Sequence, residues 1–138
     1  MKATFDIVDL TIPIINVASV TSTIDGGIHR IKKPVNSELR DITIASLPIS
    51  GGHENDVDLQ QGTLIINVFC KNFETTGQPD SAKLEATAKA VIAVIEAYAM
   101  SSTYFEIDVI NQSDPMEYPL QNNMSFISIR INYVIQII

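Results

Sequence analysis

The final fifteen residues, Met124-Ser-Phe-Ile-Ser-Ile-Arg-Ile-Asn-Tyr-Val-Ile-Gln-Ile-Ile138, alternate with a period of two. Ile127, Ile129, Ile131, Tyr133, Ile135 and Ile137 share one parity, and Phe126, Ser128, Arg130, Asn132, Val134 and Gln136 share the other. Wound at 3.6 residues per turn, those isoleucines would scatter around a helix; extended, they all fall on one face. At about 3.3 Å per residue the strand spans roughly 50 Å, against a usual 17–20 Å. The excess length sets a first expectation. One domain covers part of this apolar face, and the rest packs on another molecule, most simply a second copy of the chain. Arg130 and Asn132, on the polar side, read as facing water or a neighbouring strand, with Arg130 a candidate contact.

At 138 residues the chain is long enough for one domain with its own core and no covalent staples. Its apolar fraction of 46% and charged fraction of 18% fit a globular fold. A single cysteine, Cys70, excludes an intramolecular disulfide and, within Leu64–Lys71, reads as a small buried hydrophobe. Asp6 and Asp9 interrupt the amino terminus where a secretory signal needs an apolar segment, and no apolar run reaches about 18 residues. A soluble, cytosolic chain with no membrane partner is expected. The net charge of −7, from sixteen acidic and nine basic residues, argues against binding a nucleic-acid backbone. His29-Arg30-Ile31-Lys32-Lys33 is the local exception. It reads as the solvated face of a short strand, with Arg30, Lys32 and Lys33 as candidate contacts.

Along the chain, Phe5, Val8, Ile12 and Ile15 follow helical spacing, and Pro13 places a bend in a helix over 4–20. Asp25-Gly26-Gly27 marks a turn before a short strand, Ile28 to Ile31. Arg40 to Ser50 reads as a strand, with Pro48 suggesting an edge or bent position. Leu59 to Phe73 is apolar on both faces at its centre, which predicts a central strand covered on both sides. Leu84, Ala88, Val91, Ile92, Ile95, Tyr98 and Ala99 form a helical stripe after a cap at Asp80 or Ser81. Glu85 and Lys89 pair on the far side of that helix. Tyr104 to Ile110 alternates as a strand, and 111–123 reads as a loop or flap.

Chemistry is sparse. His53-Glu54-Asn55-Asp56-Val57-Asp58 is the one segment with metal-ligand residue types, but it lacks both the calcium-loop order and the helical H-E-x-x-H of zinc hydrolases. It reads as a solvated loop. No Ser-His-Asp order or G-x-S-x-G elbow is present, and Gly26-Gly27 and Gly51-Gly52 are not followed by the Lys-Ser/Thr of a phosphate loop. The expectation is no catalytic residues, no metal and no cofactor.

The helix, Gly-Gly turn, the stretch from Lys33 to Glu38 (Lys-Pro-Val-Asn-Ser-Glu), the Asp41-Ile-Thr-Ile strand and the strand from Gln61 to Val68 (Gln-Gly-Thr-Leu-Ile-Ile-Asn-Val), with the long helix and closing strand pair, form one order. That order resembles the tail-completion proteins of long-tailed bacteriophages and prophages, variously called tail terminator, neck or head–tail joining proteins. The resemblance covers nearly the whole chain. It departs at Pro13 and at the end, where the chain stops with its last strand. It implies a structural protein forming a ring, usually of six subunits, that caps the tail tube and meets the head connector. It also implies residence in the host cytoplasm during assembly and then in the virion neck. An acidic ring lumen would let DNA pass without specific binding.

The expected architecture is α+β: a mostly antiparallel sheet of four or five strands, a helix over 80–99 on one face and the amino-terminal helix beside it. One domain spans residues 1–138. Self-association and docking through strand ends and through loops 51–58 and 111–123 are the expected activities. A small dimeric ligand-binding module with a pocket between helix and sheet is the first alternative, and a hydrolase built on His53 with its neighbouring carboxylates the second.

Overall fold

The computed structural model describes residues 4–47, 59–99 and 105–136. In chain order these form α1 (Thr4–Ile15), α2 (Ala18–Thr21), β1 (Ile28–Arg30), β2 (Ile42–Ser46), β3 (Leu59–Lys71), α3 (Ser81–Ala99), β4 (Phe105–Gln112), β5 (Met116–Glu117) and β6 (Met124–Gln136). The fold is α+β. Its sheet runs β1-β2-β3-β6-β4, with β5 alongside β6.

The alternating run is indeed one strand, and β3 matches it residue for residue from Leu59↔Gln136 to Lys71↔Met124. This antiparallel ribbon is the spine of the domain. On one face Leu64, Ile66 and Val68 lie opposite Ile131, Ile129 and Ile127. The stripe of α3 (Leu84, Ala88, Val91, Ile95) closes over this face, that of α1 (Ile7, Val8, Ile15) packs beside it on β2 and α3, and all are buried in one core. Fully burying each such side chain stabilises the fold by about 1.5–3 kcal/mol.

Four expectations need correction. The sheet has six strands and is mixed: β1 runs parallel to β2, and the other pairings are antiparallel. The extra strand, β5, falls in the stretch expected to be loop, where two residues lie beside Phe126 and Ser125. β2 sits one strand in from the edge because β1 pairs outside it; the edge or bent position expected at Pro48 lies outside the described residues and is not among these corrections. β3 is central, but its second face is covered only in part: Phe69 is buried there, whereas Ile65 and Asn67 are half-buried.

The fourth correction concerns the long strand itself. Ile127, Ile129, Ile131, Tyr133 and Ile135 are at most 1% exposed within the single chain, so they are core residues and not an interface. Ile137 lies outside the described residues. The strand is covered because its partner β3 is equally long and α3 adds about 28 Å of helix at 1.5 Å per residue.

The bend expected near Pro13 comes slightly later. Pro13 is exposed inside α1, the helix runs on to Ile15, and Val17 is extended (φ −129°) before α2 begins. The buried stripe is Ile7, Val8, Thr11 and Ile15, with the Thr11 hydroxyl donating back to the Ile7 carbonyl at 2.9 Å. Among the described residues no helix is long and apolar enough to cross a membrane.

Candidate docking surface at the loop end of the sheet

The face of the sheet away from the helices carries its own polar architecture, centred on Asp41. This residue directly precedes β2 and is 2% exposed. Its Oδ1 accepts from the Gly27 amide at 2.9 Å and from His29 Nε2 at 3.0 Å, and its Oδ2 accepts from the Ser37 hydroxyl at 2.7 Å. Burial pushes the carboxyl up, but the Gly27 amide, the Ser37 hydroxyl and the His29 ring more than reverse this and hold it below its ordinary range. The Gly-Gly turn is explained here. A Cβ on Gly26 would stand 2.2 Å from Asp41 Oδ1, so only glycine lets the turn close on the carboxylate.

Serine, histidine and aspartate thus meet, but the carboxylate sits in the middle and the serine hydroxyl donates to it. A nucleophile needs histidine in the middle, accepting from the serine. The cluster is a structural knot.

The second element is Lys33, expected on a solvated face but only 5% exposed. Its ammonium donates to the Ser37 carbonyl at 2.7 Å and to Gln121 Oε1, and lies 5.9 and 5.7 Å from the ring centres of Phe69 and Tyr118. Gln121 Nε2 donates to the same Ser37 carbonyl at 3.1 Å. Burial lowers the Lys33 pKa, and the nearby Asp41 carboxylate only partly opposes that. Phe69, Tyr118 and Phe126 pack at 5.0–5.9 Å beneath it. The lysine therefore ties loop 33–38 to loop 118–122 across the sheet, where charge-assisted bonds and cation–π contacts are strongest because water is excluded.

Each polar member of the Lys33–Glu38 stretch has a structural task. Lys33 clamps, Asn36 takes the left-handed conformation (φ 58°), Ser37 binds Asp41, and Glu38 pairs with Lys71 at 3.2 Å. In the Gln61–Val68 stretch, Gly62 makes room for Tyr133, whose Oη would lie 2.6 Å from an added Cβ.

What this scaffold holds out to solvent is apolar. Val35 is 84% exposed and Leu120 78%, and both line one cleft with Lys32, Pro34, Asn36 and Tyr118. A neighbouring cleft of about 510 Å³ is lined by Asn36, Glu38 and residues 119–123. It lies between loops, not between helix and sheet.

Of the expected contact residues, Arg130 and Lys32 are exposed, and Arg30 is exposed while holding Asp9 at 2.6 Å. The structure does not bring Arg130 together with the basic run, since it lies on β6 and they lie at the far edge. His53, Asp56 and Asp58 fall outside the described residues, and among those described no group of His, Cys, Asp and Glu side chains is arranged to hold a metal ion. Asp41, Ser37 and Gln121 were missed as a unit. The signal for Asp41 was a lone acid opening an apolar strand after a Gly-Gly turn; for Gln121 there was none. No protein-family profile matches the chain, and no curated protein is similar enough to count as a relative.

Proposed function

We infer that this chain is a structural subunit of a phage or prophage tail, of the tail-completion kind. It works by recognition and not by turnover: copies associate into a ring that caps the tail tube and joins it to the head connector. The observation that carries the reading is the pair Val35 and Leu120, large apolar side chains more than three-quarters exposed on loops that a buried lysine holds in place. Exposed apolar groups on a preorganised scaffold suit a docking surface, because little conformational entropy remains to be lost on binding. The net charge of −7 further suits a ring through which DNA slides without adhering.

Gold-labelled antibody against the chain, applied to tails from the source culture and imaged by electron microscopy, tests the reading. Label at one end of the tails is the expected result. Label spread along the tube, or absent from particles, would remove the proposed role.

A further inference from the structure

The two outer strands of the sheet carry opposite charge, and we propose that the β1 edge of one copy seats against the β4 edge of the next. The inference rests on the self-association reading above and names the surfaces that perform it.

On the β1 side, Ile28 to Lys33 contains no acid. Lys32 is exposed and has no ion-pair partner among the described residues. Among the described residues Arg30 pairs only with Asp9, with both side chains about half exposed (54% and 45%), and a pair of that kind contributes at most about 1 kcal/mol and exchanges readily. Between these cations Ile31 is 57% exposed. On the opposite side, the stretch from Phe105 to Glu117 contains no Lys or Arg. Glu106, Asp108, Asp114 and Glu117 are exposed and make no ion pair among the described residues. Among these anions Ile110 is 45% exposed at a bulge, where the register slips between Val109 and Asn111.

The backbone at both edges is a poor template for simply continuing the sheet. Ile31 takes φ 67°, a conformation that a β-branched residue rarely adopts, and this ends β1 after three residues. The Arg30 carbonyl, which points away from β2, already accepts from the Lys32 amide at 2.7 Å. On β4 the bulge bends the strand. Unregulated edge pairing is thereby blunted, and side chains are left to do the recognising. Each edge offers an isoleucine framed by charge, cationic on one and anionic on the other. Pairing β1 with β1, or β4 with β4, would oppose like charges, so the pattern selects head-to-tail contact between unlike edges. Head-to-tail contacts close into a ring when the rotation between copies permits.

Two charge-reversed variants and their mixture test this by native mass spectrometry and light scattering. R30E/K32E makes both edges acidic, and E106K/D108K/D114K/E117K makes both basic. Each alone should self-associate at least about a hundredfold more weakly than the unaltered chain, from opposed like charges. Mixed in equal amounts they should assemble again, in alternating order, because every contact is then between unlike edges. Thermal melts establish that each variant is folded. R30E also loses the Asp9 pair, so E106K/D108K/D114K/E117K, which alters only exposed side chains with no ion pair among the described residues, keeps the test decisive if R30E/K32E does not fold. Either folded variant assembling like the unaltered chain, or a mixture of folded variants that stays monomeric, would overturn the edge assignment while leaving self-association intact. An unaltered chain with no self-association tighter than a Kd of about 1 mM would overturn both.

Discussion

Replacing Asp41 by Asn keeps the shape of the side chain and removes its charge. The carboxylate is 2% exposed and accepts three bonds, from the Gly27 amide, His29 Nε2 and the Ser37 hydroxyl, at 2.7–3.0 Å. An amide can still accept from Gly27, but its NH2 faces the serine hydroxyl and the histidine loses its anionic partner. Bonds to a charged group contribute about 1.5–3 kcal/mol, against about 0.5–1.5 for neutral ones, so weakening three of them costs about 3 kcal/mol. With an unfolding entropy of roughly 2.1 cal/mol/K per residue, 138 residues give about 290 cal/mol/K, and 3 kcal/mol lowers Tm by about 10 °C. Calorimetry or circular-dichroism melts at pH 7 measure this directly.

The pH dependence supplies a second arm. The folded-state pKa of Asp41 lies below the ordinary 3.8, so its stabilisation is fully present above that value and is lost as pH falls through the folded pKa. The gap between the unaltered chain and Asp41→Asn should therefore be full at pH 7 and close below about pH 4. A Tm change under about 2 °C at pH 7, or a gap that does not vary with pH, would refute the view of Asp41 as the ionised centre of the knot.

Ile129→Ala should cost about 2–5 kcal/mol and lower Tm by about 7–17 °C in the monomer, because Ile129 is a core residue; an unchanged melt would return it to the surface. Gly62→Ala should cost about 1–3 kcal/mol by driving a Cβ into the Tyr133 ring. Adding Tyr133→Phe should recover part of that loss in a double-mutant cycle, since the closest contact, Oη, has gone. Leu120→Asp with Val35→Asp should leave stability within about 0.5 kcal/mol per site by denaturant titration, yet abolish gold labelling of tail ends.

Elements with strong periodicity were legible in the chain itself. The alternation of 124–138 read directly as β6, and the stripe from Leu84 to Tyr98 read as α3, because one face of each is apolar over many residues. Coverage of the long strand was not legible. Its length suggested an exposed remainder, whereas nothing local to 124–138 discloses that β3 is equally long and that α3 lies across both, with α1 beside it on β2. Lys33 shows the same limit from the other side. A lysine in a basic run is ordinarily solvated, and its burial depends on Gln121 and Tyr118, more than eighty residues away. Asn36 and Gly26 sat in recognisable turn chemistry, but the carboxylate that requires the Gly26 turn comes from Asp41, at the entry to β2.

The claim that this chain builds assemblies is tested most directly by the solution mass of the purified, unaltered protein across a wide concentration range. The account predicts discrete species at several times 15.2 kDa, growing with concentration and converging on one closed size. A single species at 15.2 kDa throughout would contradict it.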